Sequence, residues 1–553
     1  MKDLLKFSKG DLFGGITAGI VALPLALAFG VQSGMGATAG LYGAIFLGFF
    51  AALLGGTPSQ ISGPTGPMTV VSAATIGSFI AVTGSLQASM AAIVACFVLA
   101  GIFQVVLGLT RLGTLIRYIP YPVVSGFMSG IGVIIILQQL FPAIGVLPPQ
   151  STLEVLQQFP QAIQQINPWA VCYSALTVLI IYLFPKMTKA IPSTLVALAS
   201  ITLLNVLLQK DVSTIGDIPG GFPVLQLSGL FSINPSMYSI ILQAAITLAL
   251  LGAIDSLLTS VVADNVTRTK HNSNKELIGQ GTGNAVAGLF GGLPGAGATM
   301  RTLVNIRSGG RNRMSGIIHA LLLLIILVGA GTYASVIPNA VLAGILITVG
   351  IGILDYRGFR HLNKVPRSDA VIMIIVLIIT SFFDLLMAVA VGMLMASLLF
   401  MKKMGDSLEA RSTVEPLEDH MPGTWDDENM PDDLATRIYI KRLNGPLFFA
   451  AVSGFKNMVE TLPDVDYVII RMKLVPFIDQ SGLYALEEAI LDLEKRGVEV
   501  LLTGVQPQPK ARLESIRVIP DLVGHHHVFT AFRKCVDYLV ELDRVKNQKK
   551  QIE

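Results

Sequence analysis

The sequence predicts a polytopic α-helical membrane protein, with a seven-plus-seven inverted repeat and a small cytoplasmic α/β domain near the C-terminus. Three observations predict this class: recurrent hydrophobic runs, two Pro/Gly-rich breaks among those runs, and Lys and Arg confined to alternate loops. The chain has 553 residues, of which 14% are charged, and its mean hydropathy is +0.66. A soluble chain would carry roughly 25% charged residues, so most of this chain is expected to lie in a bilayer.

Hydrophobic runs of membrane-spanning length recur from Gly10 to Met401. We predict fourteen segments, at about 11–30, 37–55, 66–82, 88–108, 120–140, 168–185, 190–208, 238–262, 276–292, 298–308, 314–333, 338–353, 369–384 and 386–403. The third and tenth segments are too short to cross a ~30 Å hydrocarbon core alone, which is typical of half-helices. Because seven is odd, the two sets of seven must enter the membrane in opposite directions.

The distribution of Lys and Arg predicts the orientation. Basic residues fall in the loops of one side, at Lys2, Lys6, Lys9, Arg111, Arg117, Lys186, Lys189, Arg268, Lys270, Lys275, Arg307, Arg311, Arg313, Arg357, Arg360, Lys364, Arg367, Lys402 and Lys403. On the other side, residues 141–169 carry none, and the loop before segment eight offers only Lys210. The positive-inside rule then places both termini in the cytoplasm. We expect a protein of the bacterial inner membrane.

Two Pro/Gly breaks interrupt corresponding halves of the chain. The first is Ser62-Gly63-Pro64-Thr65-Gly66-Pro67, and the second runs from Gly291 through Pro294, Gly295 and Gly297 to Ala298. Each is followed by residues that can start a helix, whose first N–H groups have no intrahelical partner. Such helix starts attract anions, and paired interruptions mark transporter binding sites. The alternative is a pair of ordinary loops.

Three side chains near the second half of the repeat are candidates for the site. Asp255 lies in an apolar span, where a carboxylate is costly unless it faces a wet cavity or a partner. Thr259 follows one turn later on the same face and can add an oxygen ligand for a cation. Arg301, on the first turn of the tenth segment, could balance a bound anion, pair with Asp255, or point to the cytoplasmic vestibule or to protein neighbours. Helix packing is the alternative for Asp255.

The composition changes after Met404. We assign residues 1–403 to the transmembrane domain, 404–434 to an acidic linker, 435–545 to an α/β domain and 546–553 to a tail. In the α/β domain, strands are expected at 438–440, 467–470 and 498–502, and helices at 481–495 and 510–516. Strands that alternate with helices predict a small sheet with helices packed on it.

Several other features narrow the range of functions that the sequence allows. Ser481 is expected to cap a helix, and a phosphate there would be tolerated by the helix dipole. His525-His526-His527 lacks flanking ligands at metal-site spacing. Cys96, Cys172 and Cys535 predict no disulfide framework. We find no Walker motif, dinucleotide fingerprint or catalytic triad signature, so the sequence predicts no enzyme, no cofactor and no metal beyond a coupling cation.

Long stretches of the chain resemble the SulP family of inorganic anion transporters and exchangers, over nearly the full length. Within that family they are most similar to the BicA-type sodium-dependent bicarbonate transporters. The tail resembles a STAS domain, with 479–482 matching a loop that is phosphorylated in related regulatory proteins. The matching residues are 22–30 (ALPLALAFG), 64–71 (PTGPMTVV), Asp255, 261–264 (VVAD), 271–281 (HNSNKELIGQG) and 295–300 (GAGATM).

The resemblance implies a core of segments one to four and eight to eleven, a gate of the remaining segments, and a dimer. It implies that Thr69, Ala298 and Thr299 contact the anion. It also implies that sodium is bound by Asp255, Thr259, Gly297 and Thr299. The BicA-type proteins have a small residue at the position of Arg301, whereas other members have Arg there and generally Glu at the position of Asp255.

The sequence therefore favours a secondary transporter of a small inorganic anion, with sodium-coupled bicarbonate uptake as the leading hypothesis. Sodium-independent transport of sulfate, chloride or a dicarboxylate, by exchange or proton coupling, is the first alternative. The second is an anion sensor that signals to a regulatory protein through the STAS domain and Ser481. A nucleobase–cation symporter is disfavoured by the STAS-like tail and by the absence of a paired carboxylate set at the half-helix.

Overall fold

The computed structural model describes residues 7–552, apart from 115–118, 150, 189–190, 217–221, 227–232, 331–334, 384, 411–413, 418–431 and 450–461. The chain forms two compact units that divide after Leu394. Unit 1 is helical apart from one short strand pair, and unit 2 contains a five-stranded sheet.

The helices that precede unit 2 are long and mostly apolar. In chain order they are α1 (Lys9–Gln32), α2 (Ala37–Leu54), α3 (Gly66–Thr83), α4 (Leu86–Leu109), α5 (Tyr121–Ala143), α6 (Thr152–Ala162), α7 (Pro168–Met187), α8 (Ser193–Leu208), α9 (Tyr238–Thr267), α10 (Ser273–Leu289), α11 (Thr299–Arg307), α12 (Arg313–Ala330), α13 (Asn339–Ile353), α14 (Tyr356–Arg360), α15 (Arg367–Phe382) and α16 (Leu385–Ala410), which contains the point of division. Among the described residues, eight helices are long and apolar enough to cross a membrane by length and composition.

Each of the fourteen predicted segments overlaps one of these helices, and α6 and α14 are additional. The tenth segment is the shortest: α11 has nine residues. The third segment, predicted to be too short as well, forms the 18-residue α3, which is long and apolar enough to span a membrane. Its apolar run continues past the break without a further Gly/Pro pair, so the helix extends until Gly84, which adopts a left-handed conformation.

The helices of unit 1 pack in two groups. In the first group α10 packs against α2 and α4, and α1 packs against α12. A Cβ atom at Gly101 or Gly281 would collide with the backbone of the opposite helix, so glycine permits the close approach of α4 and α10. In the second group α5 packs against α13 and α15, and α13 packs against α7.

Unit 2 is an α/β layer structure. Its strands are β3 (Val414–Pro416), β4 (Ile438–Asn444), β5 (Tyr467–Leu474), β6 (Glu499–Thr503) and β7 (Val528–Phe529), in the order β3-β4-β5-β6-β7. β3 pairs antiparallel to β4, and the other pairs are parallel. Its helices are α17 (Asp432–Thr436), α18 (Gln480–Lys495), α19 (Pro507–Ser515) and α20 (Phe532–Ile552). One apolar cluster includes Leu486 of α18, and another includes Cys535 of α20.

Four elements of unit 2 lie where the sequence predicted no strand or helix, namely β3, α17, β7 and α20. β3 falls inside the predicted linker 404–434, most of which is outside the described residues, and it extends the sheet by one strand. α20 continues to Ile552 and so includes most of the predicted tail 546–553. A three-residue strand and a Lys-rich helix end carry too few apolar residues to be recognised by periodicity.

Candidate functional site

The two Pro/Gly breaks pair with each other. β1 (Ser62–Gly63) lies antiparallel to β2 (Ala296–Gly297), with Ser62 opposite Gly297 and Gly63 opposite Ala296. The pairing is extended by the N–H of Ala298, which donates to the carbonyl of Ile61 at 2.8 Å. A strand pair satisfies the backbone groups of two unwound segments that cannot hydrogen-bond to water inside the protein.

Each strand leads directly into a helix start. α3 follows the N-cap residue Thr65, and α11 follows Ala298, and neither N-cap side chain accepts a hydrogen bond from the first turn. The first N–H groups of both helices therefore keep their capacity to donate, and the positive ends of two helix dipoles are brought together by the strand pair. This arrangement can bind an anion.

One face of α9 contacts both breaks. Asp255, which is 8% exposed, accepts a hydrogen bond from the hydroxyl of Thr65 at 2.8 Å. One residue later, Ser256 Oγ accepts from the N–H of Gly297 at 3.1 Å. α9 thus fixes the first break through a carboxylate and the second through a hydroxyl.

Three of the four predicted sodium ligands lie together. Thr259 Oγ1 donates to the carbonyl of Gly297 at 2.9 Å and is 2.8 Å from Thr299 Oγ1. Hard cations prefer such oxygen ligands. The Asp255 carboxylate, one turn earlier on α9, is bonded to Thr65 instead. Thr259, Thr299 and the carbonyl of Gly297 are therefore the groups that would hold a hard cation here.

Two of the predicted anion contacts lie at these helix starts. Thr69, in the first turn of α3, is fully buried, and its hydroxyl has no hydrogen-bond partner among the described residues. Ala298 is the N-cap of α11 and is 9% exposed. A buried hydroxyl without a partner costs roughly 1–3 kcal/mol, which a bound ligand can offset.

Arg301 contacts the opposite break. The side chain is 2% exposed, and Nη2 donates to the carbonyl of Pro64 at 2.5 Å. Among the described residues, no carboxylate lies within ion-pairing distance of the guanidinium, and Nη1 has no hydrogen-bond partner. Arg301 therefore reaches from α11 to the opposite break and binds a protein neighbour there.

The sequence did not single out several polar residues that hold the breaks. Glu276, fully buried in α10, accepts from the N–H groups of Gly56 and Thr57 at 2.7 and 2.8 Å and from Gln60 Nε2 at 2.9 Å. Asn284 bonds both backbone groups of Gly295. The available signal was the polar run 272–284 in a segment expected to lie in the membrane, because buried polar residues there need partners.

A cavity of about 470 Å³ lies between the two groups of helices. Its lining includes Ala73 and Ile76 of α3, Gln139 of α5 and Leu346 of α13. It borders the same helix that carries Thr69, so an ion could approach α3 from this side.

Ser481 lies in unit 2, away from these residues in sequence. Asp479, not Ser481, is the N-cap of α18, because its carboxylate accepts from the N–H of Gly482 at 2.8 Å. Ser481 occupies the second helical position and is exposed.

Comparison with known proteins gives consistent matches along the chain. Residues 9–376 match the Sulfate permease family, and residues 433–532 match the STAS domain. The bicarbonate transporter BicA of Picosynechococcus sp. is 41% identical over 524 residues, which cover 93% of this chain and 92% of the relative. The putative sulfate transporter YvdB of Bacillus subtilis is 30% identical, covering 95% and 97%.

The solved structure of the murine Solute Carrier 26 family member A9 anion transporter, in an inward-facing state, shares the fold. The TM-score is 0.81 at 20% identity, covering 97% of this chain and 92% of that chain. The predicted fold class, a polytopic helical transporter domain with a C-terminal STAS domain, is confirmed.

Proposed function

The chain belongs to the Sulfate permease family and carries a STAS domain, so it is a membrane-embedded anion transporter and not an enzyme; from this premise we propose that it takes up bicarbonate coupled to sodium. The observation that carries the proposal is the oxygen set of Thr259, Gly297 and Thr299 beside the paired helix starts. The 41% identical relative is named a bicarbonate transporter.

In this proposal the anion binds the free N–H groups at the starts of α3 and α11, near Thr69, Ala298 and Thr299. Sodium binds Thr259, Thr299 and the carbonyl of Gly297, with Asp255 supplying the negative charge. The Asp255 carboxylate would repel an anion bound nearby. A positive charge close to both groups is therefore needed for the anion to bind. At ~4 Å and an effective dielectric constant near 20, one charge contributes about 4 kcal/mol.

Arg301 is the other possible source of positive charge. Its Nη2 is bonded to the carbonyl of Pro64, which favours a role in holding the breaks together over direct contact with the anion. Sodium is then the mobile counter-charge, and its binding would favour anion binding by reciprocal linkage.

Uptake by the purified full-length chain in proteoliposomes tests this proposal. We expect radiolabelled bicarbonate to accumulate with an inward sodium gradient and to fall to background when choline replaces sodium at fixed pH. Sulfate uptake that is independent of sodium would contradict it and would favour the alternative indicated by YvdB. Uptake driven by a proton gradient or by an opposing anion would also contradict it.

We further propose a homodimer in the bacterial inner membrane with both termini in the cytoplasm. In a chain without Cys96, Cys172 and Cys535, Gln157→Cys, in α6 between residues 141 and 169 where no Lys or Arg occurs, should react with an impermeant thiol reagent from outside only. Lys270→Cys is the matched control and should react from inside only. Labelling of Gln157→Cys from the cytoplasmic side would overturn the orientation.

Ser481 is the proposed site of regulation, because it is exposed on the first turn of α18. A phosphate there would lie at the positive end of the helix dipole. Ser481→Ala should leave uptake by the purified chain unchanged and abolish any phosphate incorporation by cell extracts. Phosphate incorporation that persists in Ser481→Ala would contradict this assignment.

A further inference from the structure

The five hydroxyl side chains of α3 fall into two classes. Thr75, Ser78 and Thr83 donate to the carbonyl four residues earlier, at 2.8, 3.0 and 3.0 Å. Thr69 and Ser72 are both fully buried, and neither hydroxyl has a partner among the described residues. Because all five residues lie on the same helix, helix geometry does not explain why these two hydroxyls lack a partner. Their place on the helix does.

Thr69 and Ser72 are neighbours on the helix surface. Residues three apart lie on one face, with Cβ atoms about 5–6 Å apart. Side chains on a helix tilt towards its N-terminus, so the Ser72 hydroxyl leans towards Thr69 and towards the free N–H groups of the first turn. The two hydroxyls can therefore be reached by one ligand at the start of α3.

The surroundings of this pair connect it to the proposed site on one side and to the cavity on the other. Thr65, one turn before Thr69, donates to Asp255. Ala73 and Ile76, which follow Ser72, line the cavity between the helix groups. The stripe Thr65, Thr69, Ser72 thus runs from the Asp255 carboxylate to the cavity wall.

We propose that Ser72 is a specificity-determining residue, whose hydroxyl donates to one oxygen of a bound oxyanion while the Thr69 hydroxyl donates to another. The inference rests on the proposed anion site at the start of α3. An oxyanion presents several oxygen acceptors and can bridge two donors one turn apart. A halide is a single atom and gains less from the second hydroxyl, so Ser72 selects for oxyanions over chloride.

Ser72→Ala in the full-length chain tests the proposal, and Ser78→Ala is the matched control because the same change is made on the same helix to a hydroxyl that is already satisfied. We expect Ser72→Ala to raise the KM for the oxyanion about tenfold, the loss of one buried hydrogen bond, while inhibition by chloride changes less than twofold. Ser78→Ala should match the native chain, and Ser72→Thr, which keeps the hydroxyl, should stay within a few-fold of it.

Equal KM values for Ser72→Ala and Ser78→Ala would overturn the proposal, as would an equal loss of oxyanion and chloride affinity. If Ser72→Ala does not fold, Ser72→Cys replaces it, because a thiol leaves no cavity and is only a weak donor. The oxyanion used is the one that the native chain transports. Absence of bicarbonate uptake by the native chain would refute the proposed substrate alone, and Ser72 would then be tested with sulfate.

Discussion

The two breaks look alike in sequence but differ in how their polar side chains are used. Both form a short strand, pair with each other and lead into a helix without a side-chain cap. At the start of α11, Thr299 is bonded to Thr259, and Arg301 to the Pro64 carbonyl. In the first two turns of α3, the hydroxyls of Thr69 and Ser72 are buried and have no partner within the part of the chain that the structure describes.

This difference predicts that the two breaks bind different ions. The polar side chains of α11 are bonded to the chain just before the first break, since Thr302 accepts from the N–H of Ile61, and Asn305 donates to the carbonyl of Ser59. The second break thus holds the oxygens of Gly297 and Thr299, and the start of α11, in fixed positions. The first break leaves donors for a ligand. A cation is then expected on the α11 side of the site and an anion on the α3 side.

The largest expected effect comes from Asp255→Asn. If sodium is the counter-charge, loss of the carboxylate removes an interaction of about 4 kcal/mol, and sodium affinity should fall about a thousandfold. Sodium-dependent uptake should then be abolished, as measured in proteoliposomes across a sodium titration. If Arg301 is the counter-charge instead, the same change should preserve or strengthen anion binding, and Arg301→Ala should destroy it.

A smaller effect is expected from Thr259→Val. The change keeps the shape of the side chain but removes the hydroxyl that joins the Gly297 carbonyl to Thr299. Loss of one buried oxygen ligand should weaken sodium binding roughly tenfold, measured as the sodium concentration for half-maximal uptake. Thr247→Val is the control, because the Thr247 hydroxyl is on the same helix and donates to the carbonyl of Gln243. An equal response of the two variants would remove Thr259 from the cation site.

Arg301→Ala distinguishes two roles of this residue: a structural bond between the two breaks, and a counter-charge for the anion. The Pro64 carbonyl would lose its donor, at a cost of about 1–3 kcal/mol, so the melting temperature in detergent should fall. Anion affinity should weaken while the dependence of uptake on sodium is retained, because the cation ligands are unchanged. A stable variant with unaltered melting and no anion binding would show that Arg301 is the anion's counter-charge.

The sequence predicted the helices better than it predicted the partners of their polar side chains. Each segment predicted from hydropathy overlaps a helix of the structure. An apolar run of membrane-spanning length rarely forms anything but a helix. Hydropathy missed α6, whose eleven residues include Glu154 and three glutamines and so do not form an apolar run. It also could not show that Thr65 bonds Asp255 across 190 positions, since an N-cap threonine ordinarily bonds its own helix.

The smallest expected effect concerns a helix start that does have a side-chain cap. α18 begins after Asp479, whose carboxylate accepts from the N–H of Gly482. Loss of such a cap costs about 1 kcal/mol, so Asp479→Ala should lower the protection of α18 amides against hydrogen exchange about fivefold. Ser481→Ala should leave that protection unchanged, because Ser481 is not the cap. In both variants sodium-dependent uptake should match that of the native chain, because neither residue belongs to the ion site. A loss of uptake in Asp479→Ala would show that the first turn of α18 is coupled to transport.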